Sequence, residues 1–193
     1  MVPSPKPIVL ITGAAGNVGR ALTSALRRDY RIVGMDRDRS GGSQGIPQIP
    51  VDLTSDRRVA EAFEEIRREY GGTIASVIHL AAYFDFTGED NPLYRTVNIE
   101  GTRRLLHALQ GFDVAQFVYS GTMLVHEACR PGERIDESRP IAPKWAYPRS
   151  KAAAEEVIRH DHGRIPFVLL HLAGLYDDPV SYTHLTLPTN SLV

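Results

Sequence analysis

The stretch Ile8-Val9-Leu10-Ile11-Thr12-Gly13-Ala14-Ala15-Gly16-Asn17-Val18-Gly19-Arg20 joins a short β-branched apolar run to glycines spaced G-x-x-G-x-x-G. An amphipathic pattern follows to Arg28, with Val18, Leu22, Ala25 and Leu26 at helical spacing. Strand, glycine turn and helix in that order give the motif a physical meaning. Gly13 suits the tight turn out of the strand, Gly16 lets backbone N–H groups approach a diphosphate, and Gly19 lets the helix lie close to the sheet. Asn17 and Val18 complete the turn, and the helix start, with its unpaired N–H groups and positive dipole end, faces the anion. A second run, Arg31–Met35, ends at Asp36, where a carboxylate can accept hydrogen bonds from an adenosine ribose diol. Arg37 beside it could pair with a 2′-phosphate, but the carboxylate repels one, so NAD is expected over NADP.

Outward from this turn, short apolar runs alternate with longer helical patterns, the signature of a parallel sheet covered by helices on both faces. The expected class is α/β: a doubly wound, Rossmann-like parallel sheet in a three-layer αβα arrangement. A third strand is predicted near Ile49–Leu53, after a Gly/Ser/Pro-rich loop over residues 40–50, with Asp52 closing it. A helix over Ser55–Tyr70 starts on Ser55 as cap, carries Ala60, Phe63 and Ile66 as its stripe, and stops at Gly71-Gly72. Strand Ser76–Leu80, helix Pro92–Leu109, strand Gln116–Ser120, an irregular loop Gly121–Lys144, helix Ala146–His160 and strand Phe167–Leu172 follow.

Charge and composition exclude several classes. Of 193 residues, 22 are Lys or Arg and 23 Asp or Glu, a net charge of −1, so no basic footprint for nucleic acid or an anionic membrane is present. No apolar run approaches the ~18 residues of a membrane span. The first seven residues hold three prolines and one lysine ahead of the brief run Ile8–Ile11, too short for a signal-peptide core. The single cysteine, Cys129, cannot form an internal disulfide, which fits a reducing compartment. A cytoplasmic protein with a small-molecule substrate is expected. No metal site is expected: His160 and His162, near a helix end, complement its dipole.

Tyr147-Pro148-Arg149-Ser150-Lys151 places a phenol and an ammonium four residues apart on one helix face, Pro148 being tolerated in the first turn. A lysine cation near a tyrosine stabilises the phenolate and brings its pKa down from ~10, so that proton transfer with a substrate hydroxyl becomes feasible near neutral pH.

In order along residues 8–178, these motifs resemble the extended short-chain dehydrogenase/reductases, the family of NAD-dependent sugar epimerases and dehydratases. The resemblance rests on Gly13, Gly16 and Gly19, Asp36, Asp52-Leu53, His79-Leu80-Ala81-Ala82, Asn98 with Gly101-Thr102, Phe117–Thr122, and Tyr147 with Lys151. It implies catalytic roles for Thr122, Tyr147 and Lys151: Thr122 bonds the reacting oxygen, Tyr147 is the acid/base, and Lys151 lowers its pKa and holds the nicotinamide ribose. Ser120 is the other hydroxyl candidate. The resemblance also implies cofactor contacts from Gly13, Gly16, Asn17, Val18, Gly19, Asp36, Arg37, Asp52, Leu53, Leu80, Ala81, Ala82, Asn98, Tyr147 and Lys151. Met123-Leu124 stand where the dehydratases carry Asp-Glu, which disfavours 4,6-dehydration. Val125-His126-Glu127 replaces the epimerases' usual Val-Tyr-Gly, and His171 replaces their usual Arg, so the alcohol or sugar oxidised is left open. His126 is expected to be a loop histidine without a catalytic duty.

The other functional class is a non-catalytic dinucleotide sensor or scaffold, against which the Thr122, Tyr147 and Lys151 set argues. By analogy with the family the protein is expected to pair as a homodimer. Residues 1–178 are expected to be the dinucleotide-binding domain, with the substrate domain largely missing and the chain an inactive fragment. Pro179–Val193 has no helical stripe and no Asp, Glu, Lys or Arg. Val180–Thr189 also resembles a translated sequencing adapter, so residues 179–193 are expected to be a non-native tail.

Overall fold

The computed structural model describes residues 5–37, 45–85 and 87–175. The expected loop over residues 40–44, Phe86 and the tail 179–193 therefore lie outside the described residues. The chain runs β1 (Ile8–Thr12), α1 (Asn17–Leu26), β2 (Arg31–Asp36), β3 (Gln48–Pro50), α2 (Asp56–Tyr70), β4 (Thr73–Ile74), β5 (Ser76–His79), α3 (Glu100–Leu109), β6 (Asp113–Val114), β7 (Phe117–Thr122), α4 (Ala146–Asp161) and β8 (Phe167–Leu172). Six strands form one parallel sheet in the order β3-β2-β1-β5-β7-β8, and β4 pairs with β6 in a two-stranded annex. The order of the large sheet reverses between β1 and β5. In a doubly wound sheet the crevice at the carboxyl ends of those two strands is the ligand position.

Alternation along the strands sorts side chains onto two faces. Leu10, Val33, Met35, Val77, Phe117 and Tyr119 join α2, α3 and α4 in the larger core, while Val9, Ile11 and Ile32 pack under Leu22 and Leu26 of α1. Full burial of a Leu or Ile side chain stabilises by about 1.5–3 kcal/mol, and Leu105, Leu106 and Leu109 of α3 with Ile66 of α2 are all fully buried. Helix α2 shows why its bounds follow the sequence: the Ser55 hydroxyl accepts from Arg58 N–H at 3.3 Å, Asp56 lies in the first turn, Arg67 and Arg68 in the last, and Gly71 ends it at φ +85°.

Four expectations shift. β3 stops at Pro50 instead of Leu53, because the Asp52 carboxylate accepts the Thr54 N–H and hydroxyl at 2.9 and 2.7 Å and turns the chain toward α2. The helix expected from Pro92 opens as a wider π turn over Tyr94–Ile99 before α3. Strand β7 extends to Thr122, so that residue sits on a strand end and not in the loop. The loop beyond it is partly ordered: a 3₁₀ turn over Met123–Val125 and an antiparallel bridge between His126 and Ile141 occupy the segment read as irregular.

Candidate active site

Gly13, Asp36, Leu80–Ala82 and Thr122 all gather at the carboxyl edge of the parallel sheet, because each follows or ends a strand pointing the same way. At the crevice between β1 and β5, Gly13 turns at φ +73°, and a Cβ there would lie 2.9 Å from Ala81 N. A Cβ on Gly19 would lie 2.3 Å from the Gly13 carbonyl oxygen, so α1 can seat on the turn only with glycine at that position. No side chain caps α1, which leaves the N–H groups of its first turn directed out of the helix end. Arg20 braces the turn from outside, donating to Ala15 O at 2.5 Å and to Asn17 Oδ1. The Asp36 carboxylate accepts the Ala15 N–H at 2.8 Å, which ties the end of β2 to the glycine turn. Burial raises its pKa against the opposing pull of the Ala15 and Ala14 N–H groups. Arg37 is exposed beside it. Asp52, whose pKa the Thr54 N–H and hydroxyl lower, and buried Leu53 follow β3 at the same edge.

Under the crevice runs a buried polar chain that motif spacing did not reveal. The Thr12 hydroxyl accepts Ala81 N–H at 3.2 Å and meets His79 Nδ1 at 2.6 Å, His79 Nε2 meets the Thr102 hydroxyl at 3.0 Å, and that hydroxyl donates to Asn98 O at 2.6 Å. Since the Thr102 proton is committed to Asn98 O, His79 donates from Nε2. Burial, helped by the Lys151 charge, pushes its pKa down to about 3, which keeps the imidazole neutral and makes Nδ1 the acceptor of the Thr12 hydroxyl proton. Asn98, expected at the cofactor, is a brace here: Oδ1 accepts Tyr83 N–H at 2.7 Å, and Nδ2 donates to Tyr83 O at 3.0 Å and Ser150 Oγ at 2.9 Å. Ser150 in turn donates to Tyr147 O at 2.7 Å. Both amide hydrogens of Asn98 are thus spent on holding the loop after β5 against the start of α4.

Thr122 is 7% exposed, and its hydroxyl accepts Leu124 N–H at 3.3 Å as the cap of the 3₁₀ turn. Ser120, the other candidate, donates to His79 O at 2.9 Å and is thereby occupied. The Tyr147 ring packs edge-on to Phe84 with centroids 4.7 Å apart and also meets Tyr94. Lys151 is 2% exposed and rests its ammonium 4.3 Å from the centre of the Tyr119 ring. The expected depression of the Tyr147 pKa by Lys151 is absent in this structure. Burial raises the phenol's pKa, with Tyr94 adding to it, while burial of Lys151 brings the ammonium's down to about 7 against the pull of Glu155. A desolvated amine that gives up its proton near neutrality cannot act as a permanent cation beside a phenol.

Residues 9–177 match the family model of the NAD dependent epimerase/dehydratase family. The chain belongs to that family. As a member of this epimerase/dehydratase family it is 29% identical over 158 residues to the Escherichia coli O157:H7 N-acetyl-alpha-D-glucosaminyl-diphospho-ditrans,octacis-undecaprenol 4-epimerase, covering 82% of this chain and 44% of that protein. It is 31% identical over 160 residues to the Haloferax volcanii L-arabinose 1-dehydrogenase (NAD(P)(+)), covering 76% and 58%. The crystal structure of the Thermus thermophilus UDP-glucose 4-epimerase in complex with NAD superposes with a TM-score of 0.72 at 31% identity, covering 85% of this chain and 54% of that one. The chain thus spans about half the length of the curated relatives it matches. Among the described residues no helix is long and apolar enough to cross a membrane, and no group of three or more His, Cys, Asp or Glu is arranged to hold a metal.

Proposed function

We propose that this chain is the cofactor-binding half of a nicotinamide-dependent oxidoreductase or epimerase acting on a secondary alcohol or sugar-type substrate, with NAD preferred over NADP. The observation that carries the reading is the crevice between β1 and β5. It joins a glycine turn that Cβ atoms at residues 13 and 19 would fill, an uncapped helix start and the Asp36 carboxylate. Those features suit a dinucleotide: N–H groups for the diphosphate, a carboxylate for the adenosine ribose, and Asp52-Leu53 beside the adenine. NAD, when bound, supplies the hydride acceptor or donor.

The chain's own residues do the rest. The Thr122 hydroxyl holds the reacting oxygen, using the proton that its acceptor role toward Leu124 leaves free. Tyr147 takes the hydroxyl proton or returns it. Lys151 reaches the nicotinamide ribose and, as a cation, steadies the phenolate. That last role requires the ammonium to leave the Tyr119 ring and keep its proton, which the phosphates and the ionised phenol both favour. Substrate specificity resides in the portion of the relatives that this chain does not match.

The test pairs cofactor titration with turnover of the full-length protein on nucleotide sugars, free aldoses and 3β-hydroxysteroids. Tyr147→Phe is expected to keep NAD affinity within about threefold while lowering turnover by at least ~100-fold. Wild-type turnover that survives this substitution would remove Tyr147 from catalysis, and binding without turnover on any alcohol would favour the sensor or scaffold class.

A further inference from the structure

The side-chain cluster on the α4 face of β8 has one more hydrogen bond than its neutral imidazoles and carboxylate can supply. His126 Nδ1 lies 2.9 Å from Arg139 O, His126 Nε2 lies 2.7 Å from His171 Nδ1, and His171 Nε2 lies 3.0 and 3.1 Å from the two oxygens of Glu155. The Arg139 carbonyl only accepts, so His126 carries its proton on Nδ1. Its Nε2 then accepts from His171 Nδ1–H, and a neutral His171 is left with a bare Nε2 facing a carboxylate that also only accepts. Three links need three protons, and two neutral imidazoles bring two. The geometry points to a one-proton strut: Glu155, His171 and His126 bind one additional proton between them, and only while it is bound do they hold the Thr122–Val125 turn and the 126–142 loop against α4.

Packing supports a built site. Glu155 and His126 are 4% and 7% exposed. Gly121, paired with His171 across β7 and β8, is a glycine where a Cβ would lie 2.7 Å from Glu155 Oε1 and 3.0 Å from His171 Cδ2. The strand has therefore been cleared for the Glu155–His171 link one residue before Thr122. The proton can sit on His171, leaving imidazolium and carboxylate, or on Glu155, leaving acid and neutral imidazole; both close the chain at the same net charge. When it leaves, the last link becomes two acceptors 3.0 Å apart, and His171 is free to turn away from Glu155 and release His126. His126 follows the 3₁₀ turn that Thr122 caps, its N–H donating to Met123 O at 3.1 Å, and bridges to Ile141. Loss of the strut therefore loosens the turn that carries the proposed substrate-orienting hydroxyl, so the inference's consequence for catalysis rests on the function proposed above. Charged and titratable neighbours around the cluster are Lys151 on α4, Tyr119 on β7, and, in the loop, Arg139, which donates to Glu127 O, Ala128 O and the Glu133 carboxylate.

The decisive variant is Glu155→Gln, which keeps the shape and permanently supplies the missing donor, so that the chain closes with two neutral imidazoles at any pH. The readout is hydrogen exchange, corrected for intrinsic rates, of Glu127 N–H and Ala142 N–H, which donate to Pro140 O at 2.8 Å and Val125 O at 2.9 Å. Between about pH 6 and about pH 9, wild-type protection is expected to fall roughly tenfold, while E155Q protection stays within about threefold. An NMR titration of the wild-type imidazoles is expected to show His126 and His171 changing together with those amides, a measurement that stands even if E155Q folds poorly. Flat wild-type protection, an equal fall in E155Q, or imidazoles that titrate independently of the amides would each reduce the cluster to an ordinary ion pair. Neither readout needs cofactor or turnover, so failure of the strut is distinguishable from failure of the proposed activity.

Discussion

The glycine turn after β1 and the corner where β7, α4 and β8 meet both belong to the carboxyl edge of one sheet, yet they are made of different material. The first is backbone: Gly13, Gly16 and Gly19 with a helix end, braced by Asp36 and Arg20. The second is side chains that change charge: Tyr147, Lys151 and Glu155 at four-residue intervals along α4, Tyr119 below them and His171 opposite. A site built mainly from N–H groups has, Asp36 apart, no proton to lose and fails chiefly when atoms are added to it. A site built from buried acids and bases keeps its shape when atoms change little and fails when protons move. The two regions should therefore break under different insults.

The largest effect is expected where space has run out. A Cβ on Gly19 would sit 2.3 Å from Gly13 O and 2.5 Å from Ala14 Cα, both backbone atoms that cannot swing aside. Gly19→Val is expected to destabilise by about 3 kcal/mol or more and to weaken NAD binding at least ~10-fold, read by urea unfolding and cofactor titration. An unchanged unfolding midpoint would mean that α1 does not seat on the turn.

The opposite corner should answer to pH. Burial brings Lys151 down from 10.5 to about 7, so between those values the unfolded chain holds a proton that the folded chain does not. Stability contributed by this group therefore rises with pH from about 7 toward 10.5, and is reduced below 7, where the folded state must hold a buried ammonium. His79 has the same sign at lower pH: its folded value of about 3 lies under the ordinary 6.5, so stability falls as pH falls from 6.5 toward 3. Lys151→Met is expected to remove a rise on the order of 1–3 kcal/mol between neutral and alkaline pH, while the acid-side fall, which comes chiefly from burial of His79, persists less the share owed to the Lys151 charge. If denaturant titrations of wild type and variant ran parallel across the alkaline range, the ammonium would not be desolvated.

How far the two regions could be read in advance differs for the same reason. The glycine turn was legible because spacing alone states its geometry, and it falls in one run from Gly13 to Gly19. The helices and the six main strands were legible from period, since Phe63 and Ile66 of the α2 stripe are buried as read, although Ala60, read with them, is exposed and Val59 takes the buried place one residue earlier. Spacing also placed Tyr147 and Lys151 on one helix, but it could not say that the ammonium lies on Tyr119. Nor could it join His126 to His171, 45 positions apart, or show that Asn98 braces Tyr83 and Ser150. Asp52 misled for a local reason: apolar residues beside it read as strand, while its carboxylate offered the backbone a turn. Partners across space depend on the sheet order, and period carries no information about that.

A smaller effect tests whether Asp36, the acid at the backbone-built site, reads the cofactor as well as holding Ala15 N–H. Asp36→Asn retains a hydrogen-bond acceptor but not the charge that repels a 2′-phosphate. It is expected to narrow the preference for NAD over NADP by roughly tenfold, about 1.4 kcal/mol, in parallel titrations of the two nucleotides. A preference that stays unchanged would assign the discrimination to another group.

The smallest effect on stability is expected on the far face of β8, where the corner's own strand provides an internal control. Leu169 points toward α4 and packs against the larger core, whereas Val168 and Leu170 point to the α1 side and are 36% and 41% exposed. Among the described residues α1 is the only helix on that side, and it lies over β1 and β2. Leu170→Thr keeps a β-compatible residue and removes apolar surface that is already 41% exposed, so unfolding stability should change by no more than about 0.5 kcal/mol. Leu169→Thr should cost about 1–2 kcal/mol, because it strands a hydroxyl and withdraws packing from the core. An edge strand with an apolar outer face is a template for association, so Leu170→Thr should also lower concentration-dependent light scattering on warming. Equal destabilisation by the two substitutions would show that the outer face of β8 is covered as thoroughly as the inner one. Unchanged scattering would show that the exposed leucine is not what brings chains together.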